Sequence, residues 1–125
     1  MPTARPYKRE HYRVSLPITY PVVFSDQSTI GEGVVTDLSV FGCAIECRKA
    51  VPSNRTLLVR LLLPDQKDSL PIEQAEVRWV KGNQVGIRFG PLERKASLRL
   101  HSFVWDRMFE RLQRLKEEGA LKGYF

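Results

Sequence analysis

The sequence has few of the residues that build disulfide scaffolds or metal centres. It contains two cysteines and two histidines among 125 residues. Two cysteines are too few for a disulfide framework, and the histidines are not spaced as metal ligands. No apolar run is long enough to cross a membrane. Residues 1–6 lack the apolar stretch of a secretory signal. We therefore expect a cytoplasmic protein with no metal and no cofactor.

Recognisable catalytic patterns are also missing. No nucleophile stands in a motif with a histidine and an acid, and no glycine-rich phosphate loop occurs, so we expect a protein that is not an enzyme. The length suits one domain with a real core, but not two. The net charge of +6 suits an anionic partner, whether nucleotide, nucleic acid or acidic protein surface, without choosing among them.

Short alternating segments predict an antiparallel barrel. The even positions from Val14 to Phe24 are apolar, a period of two that indicates a half-buried strand. Pro17 and Pro21 fall on the other face and indicate an edge or a bulge. Further strands are predicted at 30–37, 43–47, about 57–63, 72–80 and 85–89, the last two as a hairpin. This spacing of short strands fits a barrel.

The two cysteines fall in the third of these strands. Four residues apart in a strand is about 13 Å at a rise of about 3.3 Å per residue, and a disulfide needs Cα atoms within about 7 Å. We expect Cys43 and Cys47 to face inward with Ile45 as small buried hydrophobes.

The end of the chain predicts an amphipathic helix that ends near Gly119. Its apolar residues recur at helical spacing: Leu98, Trp105, Met108, Phe109, Leu112 and Leu115. We expect Leu98 and its neighbours to close the open end of the barrel. The stripe from Trp105 to Leu115 should be covered either by the barrel wall near Leu58 and Leu62 or by a second copy of the chain.

Two short motifs carry the candidate chemistry. Residues 8–13 read KREHYR, with Arg9 and Arg13 four positions apart, and residues 37–42 read DLSVFG, a D-x-S-x-x-G pattern. An arginine fork can grip phosphate, stack on a base or meet the N7 and O6 edge of guanine. Asp37 offers an acceptor to the guanine donors on the opposite edge, and Ser39 offers a small donor or acceptor.

Each motif also has a plainer interpretation. An arginine pair is commonly a solvated charge cluster, and an Asp-x-Ser sequence is commonly a turn that bonds its own backbone. Gly42 would serve either a tight turn or a close approach of backbone to ligand.

The two motifs in this order, with a strand between them, resemble the signature of the PilZ domain family, bacterial receptors for cyclic di-GMP. Residues 74–80 and 85–89 are similar to that family's closing strand pair, so the resemblance covers about residues 9–89. It implies a mainly β fold, a six-stranded antiparallel barrel with a flexible N-terminal arm and a C-terminal helix. The expected parts are an arm at 1–13, a barrel at 14–90, and a helix with tail at 91–125.

The resemblance also implies roles for single residues. Arg9 and Arg13 would contact phosphates and guanine, Asp37 and Ser39 would contact guanine, and Gly42 belongs to the same site. Lys8 stands where many members have another arginine, a departure that bears on whether one ligand or a stacked pair is bound.

The expected function is that of a cyclic di-GMP receptor. A loose arm would close over the ligand, and an effector protein would read the changed surface. The family's processes include motility, surface attachment and exopolysaccharide production. One alternative is an adaptor that binds only proteins. Another is a small basic barrel that binds nucleic acid, which would expose aromatics among basic residues; the aromatics here fall mostly at core spacing, so we expect no nucleic acid partner.

Four further residues lie on the predicted strands. Trp79 is expected in the core or packed on the barrel surface, with base stacking as the alternative. Arg60, Arg78 and Arg88 are expected in solvent, and any that share a face with Asp37 would assist in holding phosphate.

Overall fold

The computed structural model describes the backbone from residue 14 to residue 119 and the side chains from Tyr20 onward. Six strands are followed by one helix, which confirms the predicted fold class. They are β1 (Val14–Ser25), β2 (Ile30–Leu38), β3 (Gly42–Cys47), β4 (Thr56–Leu61), β5 (Leu70–Lys81), β6 (Gln84–Phe89) and α1 (Arg94–Glu117).

The strands form a closed barrel in the order β1-β2-β3-β6-β5-β4. Each neighbouring pair is antiparallel, and β1 pairs with β4 to close the ring. Closure matters because an open sheet edge would present unpaired backbone groups to other chains. The predicted β5–β6 hairpin turns through Gly82 and Asn83, and Gly82 has a φ of 63°, the positive value that two-residue hairpin turns favour.

The barrel interior follows the predicted alternation. On β4, Leu57, Val59 and Leu61 are buried while Leu58 is 53% exposed. Cys43 and Cys47 face inward on either side of Ile45, as predicted, and both are free thiols. Burial raises the pKa of both thiols, and the nearby Asp37 charge raises that of Cys43 further.

The helix packs on the barrel with a different face from the predicted one. Its buried residues are Ala96, Leu100, Phe103 and Val104, whereas Leu98 is 59% exposed. The prediction that Leu98 packs on the barrel was wrong. The helix is apolar on two opposite sides, and periodicity alone cannot tell which side meets the core.

Two contacts with the barrel explain the orientation of α1, and one contact within the helix supports them. The Phe103 ring meets the Tyr20 ring of β1 edge-on, with centroids 5.7 Å apart, and the Arg107 guanidinium lies 4.7 Å from the Phe103 centroid. Near the start of the helix, Arg99 forms a two-point ion pair with Asp65 in the β4–β5 turn, through Nε to Oδ2 at 3.0 Å and Nη2 to Oδ1 at 2.8 Å. These contacts place the Leu98 side of α1 in solvent.

Candidate ligand-binding site

The turn between β2 and β3 is organised by a serine. Ser39 is 6% exposed. Its Oγ accepts hydrogen bonds from the backbone N–H groups of Phe41 at 3.1 Å and Gly42 at 3.2 Å, and it donates to the Gly42 carbonyl at 3.2 Å. Its own N–H donates to the same carbonyl at 2.9 Å. The hydroxyl of Ser39 thus closes the turn, as the plainer interpretation of the motif proposed, and its guanine contact stays a prediction.

A β-bulge presents Asp37 at the barrel surface. Val35 pairs with Ile45, but Asp37 already pairs with Ala44, so two steps on β2 face one step on β3. Val35 and Leu38 are both fully buried although they are three residues apart, and strict alternation would not allow this. The bulge reverses the alternation, so Leu38 points inward and Asp37 is partly exposed.

Gly42 is required by the neighbouring strand. A Cβ at this position would overlap the carbonyl oxygen of Ile87 on β6. Among the described glycines, the positive φ values belong to Gly82 and Gly119, not to Gly42. The glycine therefore permits close strand packing at the start of β3, rather than a left-handed turn.

A row of outward residues crosses four strands beside Asp37. Asp37 pairs with Ala44, Ala44 pairs with Gly86, and Gly86 pairs with Trp79. Ala44 is small, so little projects from the surface between Asp37 and the Trp79 indole. Trp79 is 48% exposed and its indole covers Gly86, where a Cβ would overlap the ring. The indole thus packs on the barrel surface, one of the two predicted placements.

Arginines border the next row. Gly42 pairs with Arg88, and Arg88 pairs with Glu76. Glu76 also receives two ion pairs, from Arg55 at 3.4 Å and from Arg78 at 3.0 Å. A shallow depression lined by Glu76, Arg88 and residues 89–91 adjoins the row. Three arginines around one glutamate leave this side of the surface positive, which suits a phosphate-containing ligand.

The start of β1 lies along the same turn. Val14 pairs with Leu38 and Ser15 pairs with Asp37. The register between β1 and β2 then shifts before Tyr20 meets Val35, which agrees with the bulge that the prolines of β1 indicated. Of the predicted site residues, the structure brings Asp37, Ser39 and Gly42 together. Lys8, Arg9 and Arg13 lie outside the described residues.

Sequence reasoning missed most of the surface around the motif. Ala44 and Gly86 were not singled out, and Arg88 was expected to help only if it shared a face with Asp37. The signal was available in part, since both small residues occupy outward positions of predicted strands. The expectation that aromatics fall mostly at core spacing was wrong for half of the described ones, because Phe41, Trp79, Trp105 and Phe109 are each more than 45% exposed.

Metal-ligand clusters and membrane spans can be assessed for the described part of the chain. Between residues 14 and 119, no three His, Cys, Asp or Glu side chains gather as a metal site. The described helix is too polar to cross a membrane.

Comparisons with known proteins agree with the geometry. The PilZ domain model matches residues 7–104. Similar solved structures include the PilZ domain of CeSA from a cellulose-synthesizing bacterium, with a TM-score of 0.58, 22% identity, and coverage of 76% of this chain and 96% of that one. The PilZ domain of YcgR from Escherichia coli with c-di-GMP has a TM-score of 0.56 at 17% identity. The match covers 89% of this chain and 95% of that one.

The Bacillus subtilis inhibitor of motility, MotI/DgrA, gives a TM-score of 0.63 at 15% identity, covering 79% of this chain and 50% of that one. At such identities the structures support the fold alone. A comparison with curated proteins finds no match. Since the family model covers most of the chain, from before the arginine pair into α1, the protein belongs to the PilZ domain family, a family of cyclic di-GMP-binding domains.

Proposed function

We propose that this protein is a cyclic di-GMP receptor that closes its N-terminal arm over the ligand and signals through an effector protein, in the control of motility, attachment or exopolysaccharide. It acts as a receptor and not as an enzyme. The proposed ligand site comprises Arg9, Arg13, Asp37, Ser39 and Gly42, with Lys8 beside the arginine pair.

The observation that carries the proposal is the pairing of β1 with the D-x-S-x-x-G segment. Ser15 lies opposite Asp37, and Arg13 is two residues before Ser15 in the sequence. Two residues span at most about 7 Å of extended chain, so Arg13 is tethered within reach of Asp37. Arg9 is four residues further away, close enough for both arginines to meet one ligand beside Asp37.

The surface between Asp37 and Trp79 supplies the second support. Ala44 adds little bulk between Asp37 and the Trp79 indole, which itself covers Gly86, so a flat base can lie on this part of the surface, and Arg88 borders it with a positive charge. Guanine offers donors to a carboxylate and acceptors to an arginine on opposite edges. In this proposal Asp37 takes the donor edge, while the arginines take phosphate and the N7 and O6 edge.

Calorimetric titration tests the site directly. Arg9→Ala and Arg13→Ala should each weaken cyclic di-GMP binding by roughly tenfold to a hundredfold, since a hydrogen bond to a charged group contributes about 1.5–3 kcal/mol. Arg114→Ala removes the same charge from the exposed end of α1 and is the matched control. Wild-type affinity in both arm variants would refute the assignment.

The closing arm has its own test. A polar arm that contains proline has too little apolar surface to dock alone, and phosphate contacts would supply the missing free energy. Hydrogen exchange at residues 6–13 should slow when cyclic di-GMP is added. Unchanged exchange at saturating ligand would contradict arm closure while leaving the binding itself intact.

One observation favours a second candidate function, binding of single-stranded nucleic acid. Phe41 and Trp79 are exposed on the barrel, near Arg88 and Arg78, and exposed aromatics among cations are typical of such proteins. Parallel titrations with cyclic di-GMP, GTP and single-stranded DNA separate the two functions. Binding of DNA without any binding of cyclic di-GMP would establish the second candidate in place of the first.

A further inference from the structure

The outer face of α1 carries a stripe of large apolar residues. Trp105 is 67% exposed, Phe109 58%, Leu98 59% and Leu112 41%. The stripe lies on the side of the helix opposite Leu100, one of the residues that pack on the barrel. The expectation that the barrel wall near Leu58 and Leu62 covers this stripe was therefore wrong, because the helix turns it outward.

The stripe is large enough to matter. Aromatic side chains present about 150–250 Å² each, so the exposed fractions leave roughly 400–500 Å² of apolar surface on each chain. The largest apolar patch on a typical monomer covers about 300–600 Å² and is often an interaction site. Two such patches together bury close to the roughly 1,000 Å² that a specific interface needs. The area therefore fits a weak dimer.

One oppositely charged pair beside the stripe suits an antiparallel partner of the same sequence, whereas Arg94 and Lys116, at the two ends of the stripe, are like charges that would face each other. Lys95 lies in the first turn of α1 and Glu117 in the last. They are about six helical turns apart at 3.6 residues per turn, so both lie on the same flank of the stripe. Each has the sign that is unfavourable to its own helix end. An antiparallel second helix reverses this, since it sets Lys95 of one copy near Glu117 of the other.

The stripe is also centred for such pairing. Leu98, Trp105 and Leu112 follow at intervals of seven residues, and Trp105 stands at the middle of α1, which runs from Arg94 to Glu117. A two-fold axis near Trp105 therefore aligns the two helices along their whole length. An anionic lipid surface is the alternative occupant, because α1 carries seven basic residues against three acidic ones, and phosphatidylglycerol vesicles separate the two.

We propose that α1 docks with a second copy of this chain, through an antiparallel helix pair centred near Trp105 and Phe109. The interface is isologous: the same stripe contributes from both copies. It leaves the outer barrel face at Asp37 and Trp79 outside the contact. Dimerisation is therefore independent of the proposed ligand site.

Sedimentation velocity over low to high micromolar concentration tests the dimer. Wild-type protein should pass from the mass of one chain to that of two. Trp105→Glu and Phe109→Glu should each raise the dimer dissociation constant at least about thirtyfold, the range of an interface hot spot. Leu58→Glu changes a leucine of similar exposure, 53% on β4, and should leave the mass unchanged. A wild type that stays monomeric overturns the proposal.

A charge reversal tests the antiparallel geometry. Lys95→Glu and Glu117→Lys should each weaken the dimer about twofold to tenfold, as expected for exposed ion pairs that occur twice in a symmetric contact. The double variant should recover wild-type affinity. A dimer that is sensitive at Trp105 but shows no recovery in the double variant overturns the antiparallel arrangement.

Vesicles of phosphatidylglycerol test whether the stripe binds a lipid surface instead. The dimer predicts no binding to them in the folded protein, whose integrity circular dichroism checks for every variant. If the wild-type protein is a monomer that binds these vesicles, and the Trp105→Glu variant does not bind them, the stripe belongs to a lipid surface and the proposal is overturned.

Discussion

Two Asp-x-Ser sequences stand at opposite ends of β2, and the fold uses them in opposite ways. Before β2, Asp26 is 1% exposed, and its carboxylate accepts hydrogen bonds from Ser28 and Thr29 on one side and from Ser53 and Asn54 on the other. After β2, the buried residue is Ser39, whose hydroxyl closes the turn, while Asp37 is partly exposed at the outer surface.

The comparison shows that the same residue pattern buries its aspartate in one turn and its serine in the other. Asp26 joins the β1–β2 turn to the loop between β3 and β4, and it also holds Asn54, whose Nδ2 donates to the Asp26 carbonyl at 2.6 Å. Its donors, chiefly the Ser53 backbone N–H, keep the pKa of Asp26 well below its usual range despite burial. Asp37, at the surface beside the start of β1, is the one suited to a ligand.

The largest effect should come from Asp26→Ala. The variant leaves the part-buried N–H groups of Thr29, Ser53 and Asn54 without their charged acceptor, and hydrogen bonds to a charged group are among the stronger ones. The midpoint of urea unfolding should fall further than for any change at Asp37 or Ser39. An unchanged midpoint would show that water replaces the carboxylate without loss, and the two aspartates would then not differ in structural role.

Asp37→Ala should have the opposite profile. We expect little change in unfolding, but cyclic di-GMP affinity should fall roughly tenfold or more, since charged hydrogen bonds contribute about 1.5–3 kcal/mol. Cyclic di-AMP should lose less, because adenine lacks the guanine donors at N1 and N2. Competition titrations with both nucleotides measure this. Equal losses for both, or unfolding of the variant, would make Asp37 a turn residue like Asp26.

Ser39→Ala should destabilise the protein more than Ser28→Ala does. Ser39→Ala removes the acceptor of the Phe41 and Gly42 N–H groups and should lower the free energy of unfolding by about 1–3 kcal/mol. Ser28→Ala removes one hydroxyl donor from a carboxylate that keeps its other partners, and should cost about 1 kcal/mol or less. Paired thermal unfolding curves compare them. A larger loss at Ser28 would contradict the assignment of Ser39 as the organiser of its turn.

The smallest effect should be on the free energy of unfolding at acidic pH. The folded-state pKa of Asp26 is lowered, so its stabilising contribution is present above the unfolded value of about 3.9 and is lost as the pH falls below it. Wild-type stability should therefore decline from about pH 4 downward, and Asp26→Asn should flatten that decline. The slope of unfolding free energy against pH, measured for both proteins, decides this; parallel slopes would assign the decline to other carboxylates.

The strands could be predicted because their burial follows local alternation, as Leu57, Val59 and Leu61 show. The family could be recognised because its two motifs survive in order. Features that depend on contacts between distant parts of the chain could not be predicted. Asp26 is buried by Ser53 and Asn54, 27 and 28 residues later, and the bulge that turns Asp37 outward depends on the register of β3. The packed side of α1 was missed because the helix is apolar on both sides.

The two cysteines give the protein a built-in reporter of its own opening. Both thiols are buried on β3 and are held protonated by burial, whereas reagents such as maleimides and iodoacetamide attack the thiolate. Alkylation therefore requires the barrel to open at β3 first. The rate of labelling then counts excursions from the closed state, residue by residue after proteolysis, without any engineered probe.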